Sequence, residues 1–79
     1  MTKINSIITK ENIEIPSDAK TIAITLYVDS ASAGQTSAVW VKNVESCLSF
    51  ANNQIQGCAY MKDGMIIIEN VIAYIVFFK

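Results

Sequence analysis

Lys20-Thr-Ile-Ala-Ile-Thr-Leu-Tyr-Val-Asp-Ser30 is the stretch that decides the fold. Ile22, Ile24, Leu26 and Val28 fall on every second residue, with Thr21, Ala23, Thr25 and Tyr27 between them. A strand sends two such sets to opposite faces. One face is aliphatic and the other is small, hydroxylated or aromatic, the pattern of a strand with one fully buried face and one half-polar face. The rest of the chain reads as partners for it.

Upstream, Thr2 to Thr9 reads as a first strand with Ile4 and Ile8 on one face and Ile7 on the other. Lys10-Glu-Asn12 is a polar break, and Ile13 and Ile15 alternate with Glu14 in a short second strand. Pro16 ends that strand because proline cannot donate to a ladder. Pro16-Ser-Asp-Ala19 is a turn by composition. Downstream, Asp29 to Ser37 is small and polar and reads as an exposed loop. Alternation resumes over 38–42, with Val39 and Val41 on one face and Trp40 on the other.

The segment 43–53 supports two readings. Val44, Cys47, Leu48 and Ala51 recur at helical spacing behind Asn43, an acceptable cap. Read with period two, Cys47-Leu-Ser-Phe50 is a strand, which its strand neighbours favour. Beyond it, runs over 55–62 and 65–69 flank Asp63-Gly64, the signature of a hairpin turn with two residues at positive φ. Glu69-Asn70 offers a second reversal into Val71 to Phe78. That last run is apolar on both faces, Val71, Ala73, Ile75 and Phe77 against Ile72, Tyr74, Val76 and Phe78. It should be a central strand covered on both sides, or on one side by another subunit. The expected fold is all-β and mainly antiparallel, a small β-sandwich or jelly-roll-like domain forming one unit over 1–79, with a short helix over 44–52 as the open alternative.

Composition bounds function. In 79 residues, 52% are hydrophobic and only 16% charged, against about 25% charged in ordinary soluble domains. So small a domain buries only about 60% of its unfolded surface. The apolar surplus predicts oligomerisation or docking; a well-filled monomer under a bland Ser, Thr, Asn and Gln surface is the competing reading. Net charge is −1, with no His and six basic residues in all. Those six are scattered lysines, without the Arg or basic stripe that nucleic-acid binding uses. Lack of His removes the usual proton shuttle and the commonest metal ligand.

No motif supplies chemistry in their place. Asp18 and Asp29 stand at opposite ends of a strand, too far apart for paired acid catalysis. The serines lack a base or a nucleophile elbow, and Gly34, Gly57 and Gly64 form no phosphate loop. Cys47 and Cys58 lack zinc-site spacing and are too few for a disulfide framework. Glu69 is an acid in apolar surroundings, with turn residue as its plainer role. These absences argue against an enzyme, a metal or a cofactor. Residues 1–9 show no secretory signal pattern, and the apolar run 65–78 is interrupted and too short for a membrane helix, so the chain is expected to be made in the cytoplasm and not inserted. Trp40, Tyr27 and Tyr60 are aromatics able to stack on a sugar or peptide, with core packing as the alternative for Trp40.

Ile15-Pro-Ser-Asp-Ala-Lys-Thr-Ile-Ala-Ile-Thr-Leu-Tyr-Val28, the Ser/Ala/Gly loop, the Trp-bearing strand, the Asp-Gly hairpin and the closing Ala73-Tyr-Ile-Val-Phe-Phe-Lys79 together resemble the small β-sandwich modules of bacteriophage virions. The resemblance implies a structural protein of a head fibre, tail or capsid decoration, assembled in the host cytoplasm into the virion from many copies or with other virion proteins. No binding residue carries over from it. The interface residues we expect are Ile72, Tyr74, Val76 and Phe78 or the alternate set, with Tyr27 and Trp40 as further contacts and edge pairing as a source of affinity. An inhibitor of a host defence protein and a lectin-like glycan-binding module are the alternatives.

Overall fold

A computed structural model describes residues 2–29, 34–52 and 54–79. Eight strands form two sheets, β1 (Lys3–Thr9), β2 (Ile13–Glu14), β3 (Thr21–Tyr27), β4 (Gln35–Val41), β5 (Cys47–Ala51), β6 (Gln56–Lys62), β7 (Met65–Glu69) and β8 (Ile72–Phe78). Sheet I has the order β1-β8-β3-β4 and sheet II the order β2-β7-β6-β5. Every pairing is antiparallel. The result is a small all-β sandwich.

The alternation in β3 explains the architecture. Ile22, Ile24 and Leu26 are buried while Thr21, Ala23, Thr25 and Tyr27 are half-buried on the other face. Register with β8 sets Ile22 opposite Phe77, Ile24 opposite Ile75 and Leu26 opposite Ala73. On the other side of β3, Ile22 faces Trp40. These side chains meet Phe50, Ala59, Ile66 and Ile68 of sheet II in one core. Each large aliphatic or aromatic group so buried contributes about 1.5–3 kcal/mol relative to exposure.

Local chemistry sets the connections. Asp63 and Gly64 have φ of 52° and 76°, and Lys62 pairs with Met65 across them, so β6–β7 is the hairpin the dipeptide predicts. Sheet II has a very short edge in β2, and Asn12 extends it: the Ile68 amide donates to Asn12 Oδ1 at 3.0 Å. At the β5–β6 turn, the amides of Gln54 and Ile55 both donate to Asn52 Oδ1 at 2.8 Å.

Segment 44–52 follows the favoured strand reading and holds no helix: β5 pairs with β6 from Cys47↔Tyr60 to Ala51↔Gln56, and period two turns Leu48 and Phe50 inward. Other expectations are corrected. Asp29 to Ser37 is not wholly loop, because Gln35 to Ser37 already pair with β3; 30–33 lie outside the described residues. In β1 the faces are reassigned by a register shift between Lys3 and Asn5. One extra residue reverses the phase of a strand, so Ile4 packs on the core and Ile8 is 64% exposed. The reversal at Glu69-Asn70 is a crossover between sheets, since β7 belongs to sheet II and β8 to sheet I.

Candidate interface on the outer face of sheet I

β8 is central in sheet I, with β1 and β3 on its two sides. Its Ala73, Ile75 and Phe77 are buried, and Tyr74, Val76 and Phe78 lie on the outer face, partly to substantially exposed. The last strand therefore offers a face for contact and no free edge. Around those residues, register collects a continuous surface. Val76 stands between Ser6 of β1 and Ala23 of β3, Ala23 is opposite Val39, and Thr21 lies between Phe78 and Val41. Ile8 is opposite Tyr74 on the β1 side.

This face is unusual for solvent. Val39 is 71% exposed, Val41 57% and Tyr74 40%. A shallow depression at its centre is lined by Ala23, Thr25, Ser37, Val39, Tyr74 and Val76. The polar groups present are small and partly satisfied, as in the 2.9 Å hydrogen bond between the Thr25 and Ser37 hydroxyls. β3, β4 and β8 contain no charged residue, and Lys3 is the single charge in the strands of sheet I. Four strands about 4.8 Å apart and seven residues long at about 3.3 Å each cover about 400 Å² in projection. The apolar residues occupy part of that area, with Ser6, Thr21, Thr25 and Ser37 among them; the largest apolar patch of an ordinary monomer, about 300–600 Å², is often functional.

Sheet II differs. Its outward positions carry charges at Glu14, Lys62 and Glu69, with Ser49 and Gln56, beside the half-buried Tyr60, Met65 and Ile67. Cys47 and Cys58 also lie there as free thiols. Cys47 opposes Tyr60 and Cys58 opposes Ser49, so the two cysteines are diagonal neighbours on adjacent strands and not a direct cross-strand pair. Partial burial pushes the Cys58 thiol above its ordinary pKa, and the nearby Glu69 carboxylate and Cys47 add to the shift. Thiolate is the alkylated species. At neutral pH iodoacetamide will therefore modify exposed Cys47 ahead of Cys58, an order that peptide mass spectrometry over a time course will read. Equal rates would refute the assigned environment of Cys58.

Of the residues singled out in the sequence, the structure brings together Tyr74, Val76 and Phe78, with Tyr27 farther along the same face. Trp40 is corrected to core, 5% exposed on the inner face of β4, and Ile72 is also buried, at 8%. Tyr27, Trp40 and Tyr60 occupy three different surfaces, the outer face of sheet I, the core and the outer face of sheet II, so they form no common stacking platform. Sequence reasoning missed Val39, Val41 and Ile8 as members of the face. The signal for the first two was present: with Trp40 inside, alternation puts both valines outside. Among the described residues no group of three or more His, Cys, Asp or Glu side chains is placed to hold a metal ion. No protein-family model, curated protein or solved structure matches the chain.

Proposed function

We propose that the chain is a non-enzymatic structural module that assembles by protein contact through the outer face of sheet I, first with further copies of itself. The observation that carries this reading is the apolar face built from Ile8, Val39, Val41, Tyr74, Val76 and Phe78, interspersed with small hydroxyl side chains and bearing one charge, Lys3, at its β1 rim beside Phe78. A two-fold contact sets the same patch against itself. With its single charge at the rim, the face suits self-contact, because its centre brings no like charges together. Burial against a second sheet face would remove this apolar area from water, as in sheet-on-sheet packing. The likeness to β-sandwich modules of bacteriophage virions supports the finer reading, a decoration, fibre or tail component that assembles in the host cytoplasm.

Light scattering across a dilution series tests the assembly. The wild-type chain will scatter as a multimer. Val76→Lys, which puts a charge in the middle of the face while leaving the core intact, will lower the mass at the same concentration with an unchanged far-UV spectrum. A wild-type chain at monomer mass throughout the series refutes the reading. For the virion role, the chain will co-sediment with purified phage particles at a fixed copy number; recovery only away from the particles refutes it.

A further inference from the structure

The two lateral sides of the sandwich are unequal, and the difference marks a second contact surface. On one side, β1 carries the register shift at Lys3–Asn5, and β2 is two residues long, contains Glu14 and is followed closely by Pro16. Bulges, charges, shortness and proline are the devices that stop an edge from pairing with another chain. On the other side lie β4 and β5, the last strands of their sheets, in contact with each other. β4 reads Gln-Thr-Ser-Ala-Val-Trp-Val, with seven unbroken pairs to β3 and neither charge nor proline.

Ladder phase shows what that edge presents. The Lys42 amide donates to the Lys20 carbonyl at 3.0 Å, one step beyond the Thr21↔Val41 pair. In an antiparallel ladder, residues alternate between those bonded to the neighbour and those turned away. Thr36, Ala38 and Trp40 therefore bond to β3, and Gln35, Ser37 and Val39 turn their N–H and C=O groups outward. Among the described residues none of these six groups has another backbone partner. The edge thus carries an open, regular row of donors and acceptors.

We propose that β4 pairs antiparallel with β4 of a second copy about a two-fold axis at Ser37, so that sheet I continues through eight strands. Each Ser37 then faces its counterpart, and each Gln35 faces a Val39. Two features of the edge select a second copy as occupant. Self-pairing confronts every side chain with its own kind or a near neighbour, and the absence of charge in β4 leaves nothing to repel. The pairing also carries Val39 and Val41 to the seam, so the outer apolar face runs on unbroken into the second molecule. This contact is separate from face-to-face assembly, and the two together build beyond a dimer, since two different two-fold contacts on one subunit generate larger closed or extended arrays.

Ser37→Pro separates the two. Its missing N–H is an outward one, so the β3 ladder is kept and proline is tolerated at the edge, while the ring blocks the incoming strand. Ser37→Ala, which loses the hydroxyl bond to Thr25 but keeps the N–H, will behave as wild type. In light scattering, Ser37→Pro and Val76→Lys will each fall to twice the monomer mass, and the double variant to the monomer mass. Hydrogen exchange of the associated wild-type chain will show protected amides at Gln35, Ser37 and Val39, lost on dilution, while those of Thr36, Ala38 and Trp40 stay protected. Should Ser37→Pro fail to fold by circular dichroism, Gln35→Pro, at the first residue of β4 with its N–H turned outward, takes its place. Association at the wild-type mass by the folded edge variant, or fast exchange at the three outward amides in the multimer, overturns edge pairing and leaves the face reading standing. A monomeric wild-type chain overturns both.

Discussion

Gly57→Ala will lower the melting temperature by about 10 °C, although it adds one methyl group to a strand whose backbone conformation any residue can adopt. A Cβ at this position in β6 would lie 2.3 Å from Val71 Cγ1, 2.6 Å from the Glu69 carbonyl oxygen and 3.1 Å from the Asn70 carbonyl carbon. The first of these atoms belongs to a side chain that is itself buried, at 5% exposure. The other two are backbone of the crossover from sheet II to sheet I, where Asn70 holds φ at 63° and its Nδ2 donates to the Gln56 carbonyl at 2.7 Å. Relief therefore means moving the crossover away from β6, against that bond and against the packing of Val71. Overpacking of this kind costs about 1–3 kcal/mol, and each kcal/mol shifts the melting temperature of so small a domain by about 4–8 °C. Thermal melts followed by circular dichroism measure it. A Gly57→Ala melt within about 2 °C of wild type would show that close approach does not constrain the site.

The same position shows where sequence reading stops. The partners of Gly57 stand more than ten residues away, and nothing in its own neighbourhood distinguishes it from a glycine in a loop. By contrast, β3 and the Asp63-Gly64 hairpin were legible because their causes are local: side-chain period in one, two positive φ angles in the other. The partition into two sheets was not. A polar pair between apolar runs marks Lys62-Asp-Gly-Met65 and Glu69-Asn-Val71 alike, yet the first joins neighbours in one sheet and the second crosses between sheets. The β1 phase was hidden in the same way, since the residue that shifts its register is visible only against β8. For the candidate face, alternation in β8 supplied both possible sets of residues. The choice between them is made by β3, whose buried Ile22 and Ile24 stand opposite Phe77 and Ile75. That is information from a strand some fifty residues away in the chain.

Two adjacent phenylalanines turn that choice into opposite expected results. Phe77 is 1% exposed, among the largest fully buried side chains, and sits in the core opposite Ile22. Truncation to alanine removes its transfer free energy and leaves a cavity, at about 3–5 kcal/mol. A chain of 79 residues at about 0.05–0.15 kcal/mol each has about 4–12 kcal/mol in total, so Phe77→Ala will lose roughly a quarter or more of its stability and, at the lower end, will not fold. Phe78 is the next residue and is half-exposed on the outer face, opposite Thr21 and Lys3. Phe78→Ser removes apolar area that only another molecule can cover, so the monomer will keep its fold within about 1 kcal/mol while the light-scattering mass falls. Denaturant titration and scattering on the same two samples separate these outcomes: the first variant loses the fold and assembly follows it down, and the second loses assembly alone. A Phe78→Ser chain that assembles like the wild type would remove the C-terminal end of β8 from the interface. Equal loss of stability in both variants would mean that the outer face of sheet I is already covered within the monomer, and the case for assembly through it would fall.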